Sequence, residues 1–352
     1  MNENVSEELV ETDLGAGIST SKKKSNSKPS KKKALMIFFG VLFFVFLSIL
    51  GYGVYLTFRV NRILGDAYVE TFTEDMRRFH HEFRFGEVPS SILLLGIDAL
   101  SMTEYAFSDA IVLVTINPND RSVKIVSFHR YLIFHDSIEV FHPFDRLAYN
   151  YVLGGPSLTM DVLQMAINVP VDRFVAVDFK GFANVIDAIG GVTVYNDGEP
   201  FGFSSGYVGF DDARRYVWFD SGELHLSGME AIEYARQRNH DPDNGEISRQ
   251  DRQRQIIEAS MRGVTNDLLF THQEILSAID GHFMLNMLPF EIIATLTPFV
   301  NGIDDITHYS LNGTQFILEG EERYHDFRIV DQLELSELTR ILRQHLELPP
   351  LD

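Results

Sequence analysis

Arginines are concentrated in one short segment of this chain, residues 231–257. The segment reads AIEYARQRNHDPDNGEISRQDRQRQII and holds five arginines and no lysine, although the whole protein of 352 residues carries a formal net charge of -20. An acidic chain repels anions in general, so a local arginine cluster indicates a dedicated anion site. The planar guanidinium group presents a fork of donors that matches phosphate oxygens, which a lysine ammonium cannot reproduce. The segment therefore predicts a ligand that carries phosphate.

The spacing of the first two arginines predicts a clamp. Arg236 and Arg238 are two residues apart in a predicted strand, so their side chains leave on the same face and could hold two adjacent phosphates. The alternative is a solvated pair on an exposed sheet face. Residues 249–261 are predicted to form a helix with Ser248 as its N-cap.

The predicted helix sorts its polar side chains by face. At about 100° per residue, Arg249 and Gln253 lie near the centre of the apolar face. A buried arginine without a partner would be costly, so both side chains are expected to meet a ligand or an acid. Arg254 lies on the opposite side with Asp251, within reach of Glu258, and is expected to form a surface ion pair.

Two aspartates, Asp98 and Asp109, lie at the ends of predicted strands. Asp98 follows the apolar run 92–95, and Asp109 precedes the run 110–117. Because α/β folds place ligands at strand ends, two carboxylates there can hold a hard divalent cation, Mg²⁺ or in its place Mn²⁺. The alternative is that each aspartate caps a helix or a turn, and spacing alone favours this alternative.

Short apolar runs alternate with helical segments after residue 89. Strands are predicted at residues 92–95, 110–117, 123–128, 174–177, 192–194 and 306–311. Helices are predicted at residues 156–167, 181–189, 249–261 and 334–346, with two more after residue 264. Strands that alternate with helices favour a three-layer α/β/α sandwich around a mixed central sheet. We expect a single domain over residues 89–352.

The N-terminal part predicts a membrane anchor. Residues 34–58 contain no charge and are long enough for one helix to cross a hydrocarbon core of ~30 Å. Seven lysines precede this run, so the positive-inside rule places the tail 1–33, expected to be disordered, in the cytoplasm. A stalk over residues 59–88 and the domain would then lie outside the cell, next to the lipid bilayer. A buried core helix is the alternative.

Composition excludes several classes of function. The chain has no cysteine, which excludes a disulfide framework, a thiolate metal site and a cysteine nucleophile. Its histidines show no HExxH spacing, and it has no Walker A sequence. The acidic ectodomain lacks the basic footprint of a nucleic-acid binder, and the tail 1–33 is too short for a DNA-reading fold. No nucleic-acid partner is therefore expected.

Seven short motifs follow one another along the chain. They are LLLGID at residues 93–98, Ser108-Asp109 with IVLVTINP, SFHR at residues 127–130, GGP at residues 154–156, GFANVIDAIGGV at residues 181–192, LSGMEAIEYARQR at residues 226–238, and Arg249-x-x-Arg252-Gln253. In this order, behind a predicted anchor, they resemble the LytR-CpsA-Psr family. Its members are membrane-anchored phosphotransferases that attach glycopolymers to the cell wall. The resemblance covers roughly residues 89–345.

The resemblance implies a diphosphate site for a polyprenyl-pyrophosphate-linked glycopolymer. The diphosphate ligands that it implies are Arg130, Arg146, Arg236, Arg238, Arg249, Arg252 and Gln253. It places the metal, Mg²⁺, on Asp98 and Asp109. The catalytic residues expected on this basis are Arg236, Arg238, Asp109 and Glu246, of which Asp109 or Glu246 would accept the hydroxyl proton.

The implied activity is transfer of the glycopolymer, a teichoic acid, capsule or other polysaccharide, to a sugar hydroxyl of peptidoglycan. A hydroxyl would attack the sugar-linked phosphorus, and polyprenyl phosphate would leave. Arginines and a metal supply the positioning and charge stabilisation that such a transfer needs. The alternative is a non-catalytic, membrane-tethered protein that binds polyprenyl pyrophosphate as an assembly or regulatory factor.

Four positions depart from the pattern of the family. Phe107 and Leu100 stand where the family often has arginine, and Tyr131 stands where it favours aspartate. Glu246 replaces an aspartate ahead of the Arg-x-x-Arg-Gln run. Losing up to two arginines would weaken the neutralisation of a pyrophosphate, so these substitutions bear on activity and substrate range rather than on the fold.

Overall fold

The computed structural model describes most of the chain. The described residues are 31–69, 86–99, 106–134, 145–204, 216–237, 245–299, 303–316 and 327–351. The chain forms two compact units, residues 1–55 and residues 56–352. Of the first unit, residues 31–55 are described and are helical, whereas most of the predicted tail 1–33 lies outside the described residues.

The described elements are thirteen strands and seven α-helices. The strands are β1 (Ser90–Ile97), β2 (Ser108–Asn117), β3 (Ser122–Phe128), β4 (Leu132–Ile133), β5 (Arg173–Asp178), β6 (Val192–Asn196), β7 (Phe201–Ser204), β8 (Tyr216–Phe219), β9 (Gly222–Leu226), β10 (Phe283–Leu285), β11 (Asp305–Leu311), β12 (Thr314–Phe316) and β13 (Phe327–Ile329). The helices are α1 (Lys31–Ala67), α2 (Tyr149–Ile167), α3 (Phe179–Ala188), α4 (Gly228–Arg236), α5 (Gly245–Ile279), α6 (Pro289–Leu296) and α7 (Gln332–His345).

Six strands form a mixed central sheet in the order β10-β5-β1-β2-β3-β11. The pairs β1–β5 and β3–β11 are parallel, and the other pairs are antiparallel. Strands β1 and β2 are apolar on both faces, as expected for strands that are covered on both sides. Three small sheets, β12-β13-β4, β6-β9 and β7-β8, lie outside the central sheet.

Helices cover both faces of the central sheet. On one face, α2 and α7 pack Leu163 and Leu342 against Leu93 and Leu95 of β1. On the other face, α5 packs Ile257 among the side chains of β2 and β3, with α3 and α4 beside it. The predicted three-layer α/β/α arrangement with a mixed central sheet is confirmed, because apolar side chains from both faces of the sheet are buried under helices.

Helix α1 runs through the predicted membrane segment and continues beyond it. In the second unit, its last turns bury Leu64 and Ala67 against Leu285 and Met287. These contacts place residues 59–69 of the predicted stalk on the domain, whereas residues 70–85 lie outside the described residues. In the ranges given above, no helix is both long enough and apolar enough to cross a membrane. The anchor stays a prediction.

The segment that carries Arg236 is a helix, so the strand predicted there is wrong. Helix α4 begins after Ser227, and the Ser227 amide donates a hydrogen bond to Glu230 Oε2 at 2.9 Å. This Ser-x-x-Glu pair is a capping box, which starts a helix by satisfying free amide groups. Helix α4 ends at Arg236, and Arg238 lies outside the described residues.

Helix α5 is longer than predicted. It begins at Gly245 instead of residue 249 and ends at Ile279, so Ser248 lies inside the helix and is not its N-cap. Only one further α-helix, α6, precedes β11 in the described part of the chain. Arg249 keeps its inward orientation nonetheless, because the helical phase does not depend on where the helix begins.

His345, at the end of α7, is buried against the β2–β3 hairpin. Its Nδ1 lies 2.8 Å from Thr115 Oγ1, and its Nε2 lies 2.8 Å from Ser122 Oγ. Burial lowers the pKa of His345 to about 4, with the positive charge of Lys124 adding to the effect. The imidazole is therefore neutral in the folded protein over a pH range in which it is protonated in the unfolded chain.

This histidine predicts a loss of stability in acid. A depressed folded-state pKa means that stability is complete above about pH 6.5 and decreases as the pH falls towards 4. Between pH 7.5 and pH 5, His345 is expected to reduce the free energy of unfolding by about 2 kcal/mol. This change in the free energy of unfolding is measured by urea unfolding of the wild type and of His345→Gln at both pH values. Equal pH dependence in the two proteins would contradict the prediction.

Candidate functional site

An apolar cavity lies between the central sheet and helices α3, α4 and α5. Its volume is about 220 Å³. The apolar side chains of its lining include Leu94, Val112, Val175, Val177, Phe179, Phe182, Val185, Ile232, Ile256 and Phe283. Arg236, Arg249, Gln253 and Asp109 also line it. An apolar cavity with a few polar groups is the usual form of a site for a ligand with an apolar part.

A β-bulge presents Asp109 to the cavity. Gly96 pairs with Ala110 and Ile97 pairs with Ser108, so β2 has one residue more than β1 at this point, and that extra residue is Asp109. Such a bulge redirects side chains, and both Asp109 and Ala110 line the cavity. The strand end thus adds a carboxylate to the cavity wall without interrupting the apolar face formed by the rest of β2.

Two arginines converge on Asp109. Arg130, which follows β3, forms an ion pair with Asp109 Oδ1. Arg249 Nη1 lies 3.4 Å from Asp109 Oδ2, and Arg249 Nη2 donates to the backbone carbonyl of Asp109 at 3.0 Å. The Arg249 side chain is only 3% exposed. The expectation that Arg249 meets an acid or a ligand is therefore confirmed, and the acid is Asp109.

Two further predicted arginines, Arg236 and Arg252, lie on the helices that border the cavity. Arg236 lines the cavity, and its guanidinium carbon lies 5.0 Å from the centre of the Phe179 ring. Arg252 donates a hydrogen bond to the carbonyl of Gln237, the residue after Arg236, and lies near Phe201 and Tyr234. Guanidinium groups from α4, from α5 and from the residues that follow β3 are therefore brought to one end of the sheet, as an anion site requires.

Arg254 is partly exposed, unlike the buried Arg249 of the same helix. Its Nη2 lies 3.3 Å from Asp251 Oδ1, three residues earlier in the same helix, and both side chains are partly exposed. The predicted surface ion pair is confirmed with Asp251 as the partner. Glu258 instead pairs with Arg262 and His308. Exposed pairs of this kind contribute little to stability.

Asp98 follows β1 and is exposed. Its amide donates to the carbonyl of Phe107 at 3.0 Å, which continues the β1–β2 ladder by one residue beyond the Ile97–Ser108 pair. The two aspartates therefore sit at the same strand ends. Among the described residues, no group of three or more histidine and carboxylate side chains could hold a metal ion by itself.

The donor set is nonetheless compatible with a hard cation. Each oxygen of Asp109 faces one arginine, and a carboxylate oxygen has a second lone pair for another partner. Phosphate oxygens and waters commonly complete the coordination of Mg²⁺ beside one or two carboxylates. Asp98 and Asp109 are the side chains of the described site that would hold such a cation.

Three predicted or compared positions cannot be placed in this geometry. Arg238 and Leu100 lie outside the described residues. Glu246 lies in the first turn of α5, and nothing is described of its side chain. Their roles stay predictions.

The comparison with protein families decides the relationship of the chain. Residues 67–344 match the LytR_cpsA_psr family model. The chain belongs to the LytR-CpsA-Psr family. It is 29% identical over 318 residues to the polyisoprenyl-teichoic acid--peptidoglycan teichoic acid transferase TagU of Enterococcus faecalis, a match that covers 90% of this chain and 98% of that protein.

Solved structures agree with this assignment. The crystal structure of B. subtilis TagV has a TM-score of 0.61 and 26% identity to this chain, and the match covers 75% of this chain and 99% of TagV. A structure described as TagT bound to LI-WTA has a TM-score of 0.59 and 25% identity, with 76% of this chain and 94% of TagT covered. The mixed central sheet is thus the sheet of the LytR-CpsA-Psr fold.

Tyr131, one of the departures from the family pattern, organises two arginines. The guanidinium carbon of Arg130 lies 4.3 Å from the centre of the Tyr131 ring, and that of Arg146 lies 5.0 Å from it. Arg130 also donates a hydrogen bond to the Tyr131 hydroxyl. From the sequence alone, Tyr131 is only a departure from the aspartate that the family favours at this position. In the structure it holds both cations through its ring, an interaction that strengthens where water is excluded.

Removing the Tyr131 ring is expected to weaken anion binding. Tyr131→Ala should bind inorganic pyrophosphate about 30-fold more weakly, because each of two cation–π contacts is worth roughly 1 kcal/mol. Tyr131→Phe, which keeps the ring, should lose less. Tyr149→Ala is the matched control, since the Tyr149 ring packs at a tilt against Phe107, with 4.7 Å between ring centres. Calorimetric titration measures the affinities, and equal affinity in Tyr131→Ala and the wild type would contradict the prediction.

Asp178 is a carboxylate at the cavity that sequence reasoning did not select. It is the N-cap of α3, where Oδ1 accepts from the Gly181 amide at 2.7 Å, and its Oδ2 lies 2.8 Å from His282 Nδ1. These contacts occupy both oxygens, so we assign Asp178 to fixing α3 against the sheet. The aspartate preceding a predicted helix was the available signal for this cap.

Tyr234 connects α4 to the arginines. It is almost fully buried, and burial raises the pKa of its phenol, an effect opposed by the nearby Arg252. Its ring packs edge-on against Phe219 with 5.3 Å between ring centres. The phenol therefore stays neutral and forms part of the wall that holds Arg252 in place.

Proposed function

We propose that this protein is a membrane-anchored phosphotransferase that moves a glycopolymer from a polyprenyl-diphosphate carrier to peptidoglycan. One observation carries the proposal: an apolar cavity under the sheet has Asp109, Arg236 and Arg249 in its wall. A ligand that fits both the apolar lining and the arginines has a long apolar tail and a diphosphate. The relatives named as teichoic acid transferases support a teichoic acid as the transferred polymer.

A second apolar cavity extends the space available to a lipid tail. It has a volume of about 240 Å³ and shares Leu94, Phe182 and Ile257 with the first cavity. Its far end is lined by Val123 and Phe299. An isoprenoid chain that enters from the arginines would thus bury its length between sheet and helices, and burial of apolar area contributes about 25 cal/mol per Å².

The arginines perform the electrostatic part of the transfer. Arg130, Arg236 and Arg249 would bind the diphosphate oxygens, with Arg146, Arg252 and Gln253 around them. A peptidoglycan hydroxyl attacks the sugar-linked phosphorus. The bond from that phosphorus to the bridging oxygen breaks, and polyprenyl phosphate leaves with the electron pair. Guanidinium groups fixed in advance stabilise the charge that develops on the phosphate oxygens.

The attacking hydroxyl must lose a proton. Asp109 accepts contacts from arginine on both oxygens, so we assign it to holding Arg130 and Arg249. Glu246, in the first turn of α5, is then our proposed proton acceptor. We further propose that Asp98 and Asp109 bind Mg²⁺, or Mn²⁺ in its place. When bound, such a cation neutralises phosphate charge.

The cellular location is part of the same proposal. Residues 34–58 would anchor the chain in the cell membrane, and the lysine-rich tail before them would lie in the cytoplasm. The domain would then face the cell wall, where the bilayer supplies the lipid carrier and peptidoglycan supplies the acceptor.

Turnover of a short isoprenyl diphosphate tests the enzymatic part. Geranyl pyrophosphate is incubated with the domain with and without Mg²⁺, while calorimetry measures binding of the same compound. Release of phosphate that depends on Mg²⁺ and is lost in Arg236→Ala is the expected result. Retained binding without any turnover would refute the proposed enzymatic activity and favour a non-catalytic protein that binds polyprenyl diphosphate. The presence of Phe107 where the family often has arginine is consistent with that alternative.

A further inference from the structure

Two large aromatic side chains face solvent on the ribbon formed by β7 and β8. Tyr216 is 68% exposed and Trp218 is 55% exposed. They alternate along β8 with Val217 and Phe219, which face the opposite way and pack on the core of buried residues around Tyr234. The ribbon therefore has an apolar inner face and an aromatic outer face. We refer to Tyr216 and Trp218 as the aromatic platform.

A glycine lets these rings lie against the ribbon. Gly202 pairs with Trp218 across the ribbon. A Cβ atom at Gly202 would lie 2.5 Å from Trp218 Cε3 and 2.6 Å from Tyr216 Oη, so both side chains occupy the space above this glycine. Trp218 Nε1 donates to Asp220 Oδ1 at 2.8 Å, which fixes the indole. One side of each ring packs over Gly202, and the other side is exposed to solvent.

The described segments beside the platform are acidic. Residues 192–204 and 216–226 contain no lysine or arginine, whereas Asp197, Glu199 and Glu223 are exposed there together with Asp220. Arg214 and Arg215, which precede Tyr216 in the sequence, lie outside the described residues. The exposed carboxylates of the described segments would repel an anionic polymer. A neutral sugar would not be repelled, since pyranose rings stack their C–H faces on aromatic rings and offer hydroxyl donors to carboxylates.

The ribbon of β7 and β8 separates the platform from the proposed diphosphate site. On the inner face of the same ribbon, Phe201 lies opposite Phe219, and the Arg252 guanidinium lies 5.7 Å from the Phe201 ring centre. Only the thickness of the ribbon therefore separates the platform from one of the arginines proposed to hold the diphosphate. A glycan held on the platform would lie at the edge of the reaction site.

We propose that the aromatic platform is a binding site for neutral pyranose rings of a glycan, and that it holds the acceptor strand. The identification of the bound glycan as the acceptor strand rests on the proposed transfer to peptidoglycan. The binding of neutral pyranose rings does not depend on that proposal. Exposed aromatic patches flanked by polar groups commonly mark interaction surfaces.

The composition of the chain makes the test specific. Trp218 is the only tryptophan in the sequence, so tryptophan fluorescence of the whole protein reports on the platform directly. The probe is the neutral tetramer of N-acetylglucosamine, added in EDTA and without lipid. A saturable change in emission is expected, with at least a 10-fold weaker affinity in Tyr216→Ala. Met165→Ala, which removes an exposed apolar side chain from α2, should bind as the wild type does.

A second variant and a second probe keep the test decisive. Gly202→Ala leaves both rings present but displaces them, and it should weaken binding as well. Tetragalacturonic acid, an anionic sugar tetramer, should bind more weakly than the neutral tetramer. No saturable change with the neutral probe, equal affinity in Tyr216→Ala, or a preference for the anionic probe would overturn the proposal.

The platform and the transferase proposal fail separately. Fluorescence is measured without divalent cation, diphosphate or turnover, so glycan binding can persist in a protein that hydrolyses nothing. In that case the transferase proposal falls and the platform stands. Conversely, the protein could show Mg²⁺-dependent turnover while its fluorescence does not change when the glycan is added. That result would support the transferase proposal and refute the proposed glycan site.

Discussion

Arg249→Ala is expected to reduce transfer at least 100-fold, because it removes a fixed charged donor from the proposed diphosphate site. The side chain is nearly inaccessible, and it bonds both the carboxylate and the backbone carbonyl of Asp109. Arg249→Lys should recover little, since one ammonium cannot reproduce the two separate donors of the guanidinium group. Release of polyprenyl phosphate from a lipid-linked precursor, followed at saturating acceptor, measures the effect.

Arg254→Ala is the matched control for this prediction. It lies five residues further along the same helix, and it pairs with the exposed Asp251. Its removal should change both activity and stability little, since exposed ion pairs contribute up to about 1 kcal/mol. Equal losses of activity in Arg249→Ala and Arg254→Ala would contradict the assignment of Arg249 to the diphosphate site.

Asp109→Asn is expected to destabilise the protein and to make its stability depend on an anion. The substitution removes the negative charge between Arg130 and Arg249, whose side chains are 13% and 3% exposed. Breaking a largely buried ion pair in this way costs about 3 kcal/mol or more. Pyrophosphate can replace the lost charge, so it should raise the melting temperature of Asp109→Asn more than that of the wild type.

Thermal unfolding in EDTA, with and without inorganic pyrophosphate, measures this effect without a contribution from a metal. Asp251→Asn is the control, because it removes the exposed partner of Arg254 and should respond to pyrophosphate as the wild type does. A melting temperature of Asp109→Asn that is unchanged, or that pyrophosphate does not raise beyond the wild-type response, would show that Asp109 does not hold the arginines.

The sequence was sufficient for those parts of the site that depend on helical phase and chain order. Arg249 and Gln253 were predicted to face inward from periodicity, and both line the cavity. The same periodicity placed Arg254 on the surface. The order of strands and helices predicted the layers, because runs of apolar residues such as β1 and β2 are long enough to identify without knowledge of their partners.

Other parts depend on contacts between distant segments and were not predictable from local patterns. The bulge at Asp109 arises from the pairing of β1 with β2, and no local motif marks it. Tyr131 contacts Arg146 across fifteen positions of sequence, so its role emerges only from tertiary structure. Arg236 was placed in a strand although Ser227 and Glu230 form a capping box, a signal that was present in the sequence and outweighs strand propensity there.

A crystal structure of the domain with a bound isoprenyl diphosphate tests the central claim most directly. Density for the isoprenoid chain is expected between the central sheet and helices α3, α4 and α5, with the diphosphate in contact with Arg130, Arg236 and Arg249. A chain bound on the outer surface of the domain, or a diphosphate held away from these arginines, would contradict it.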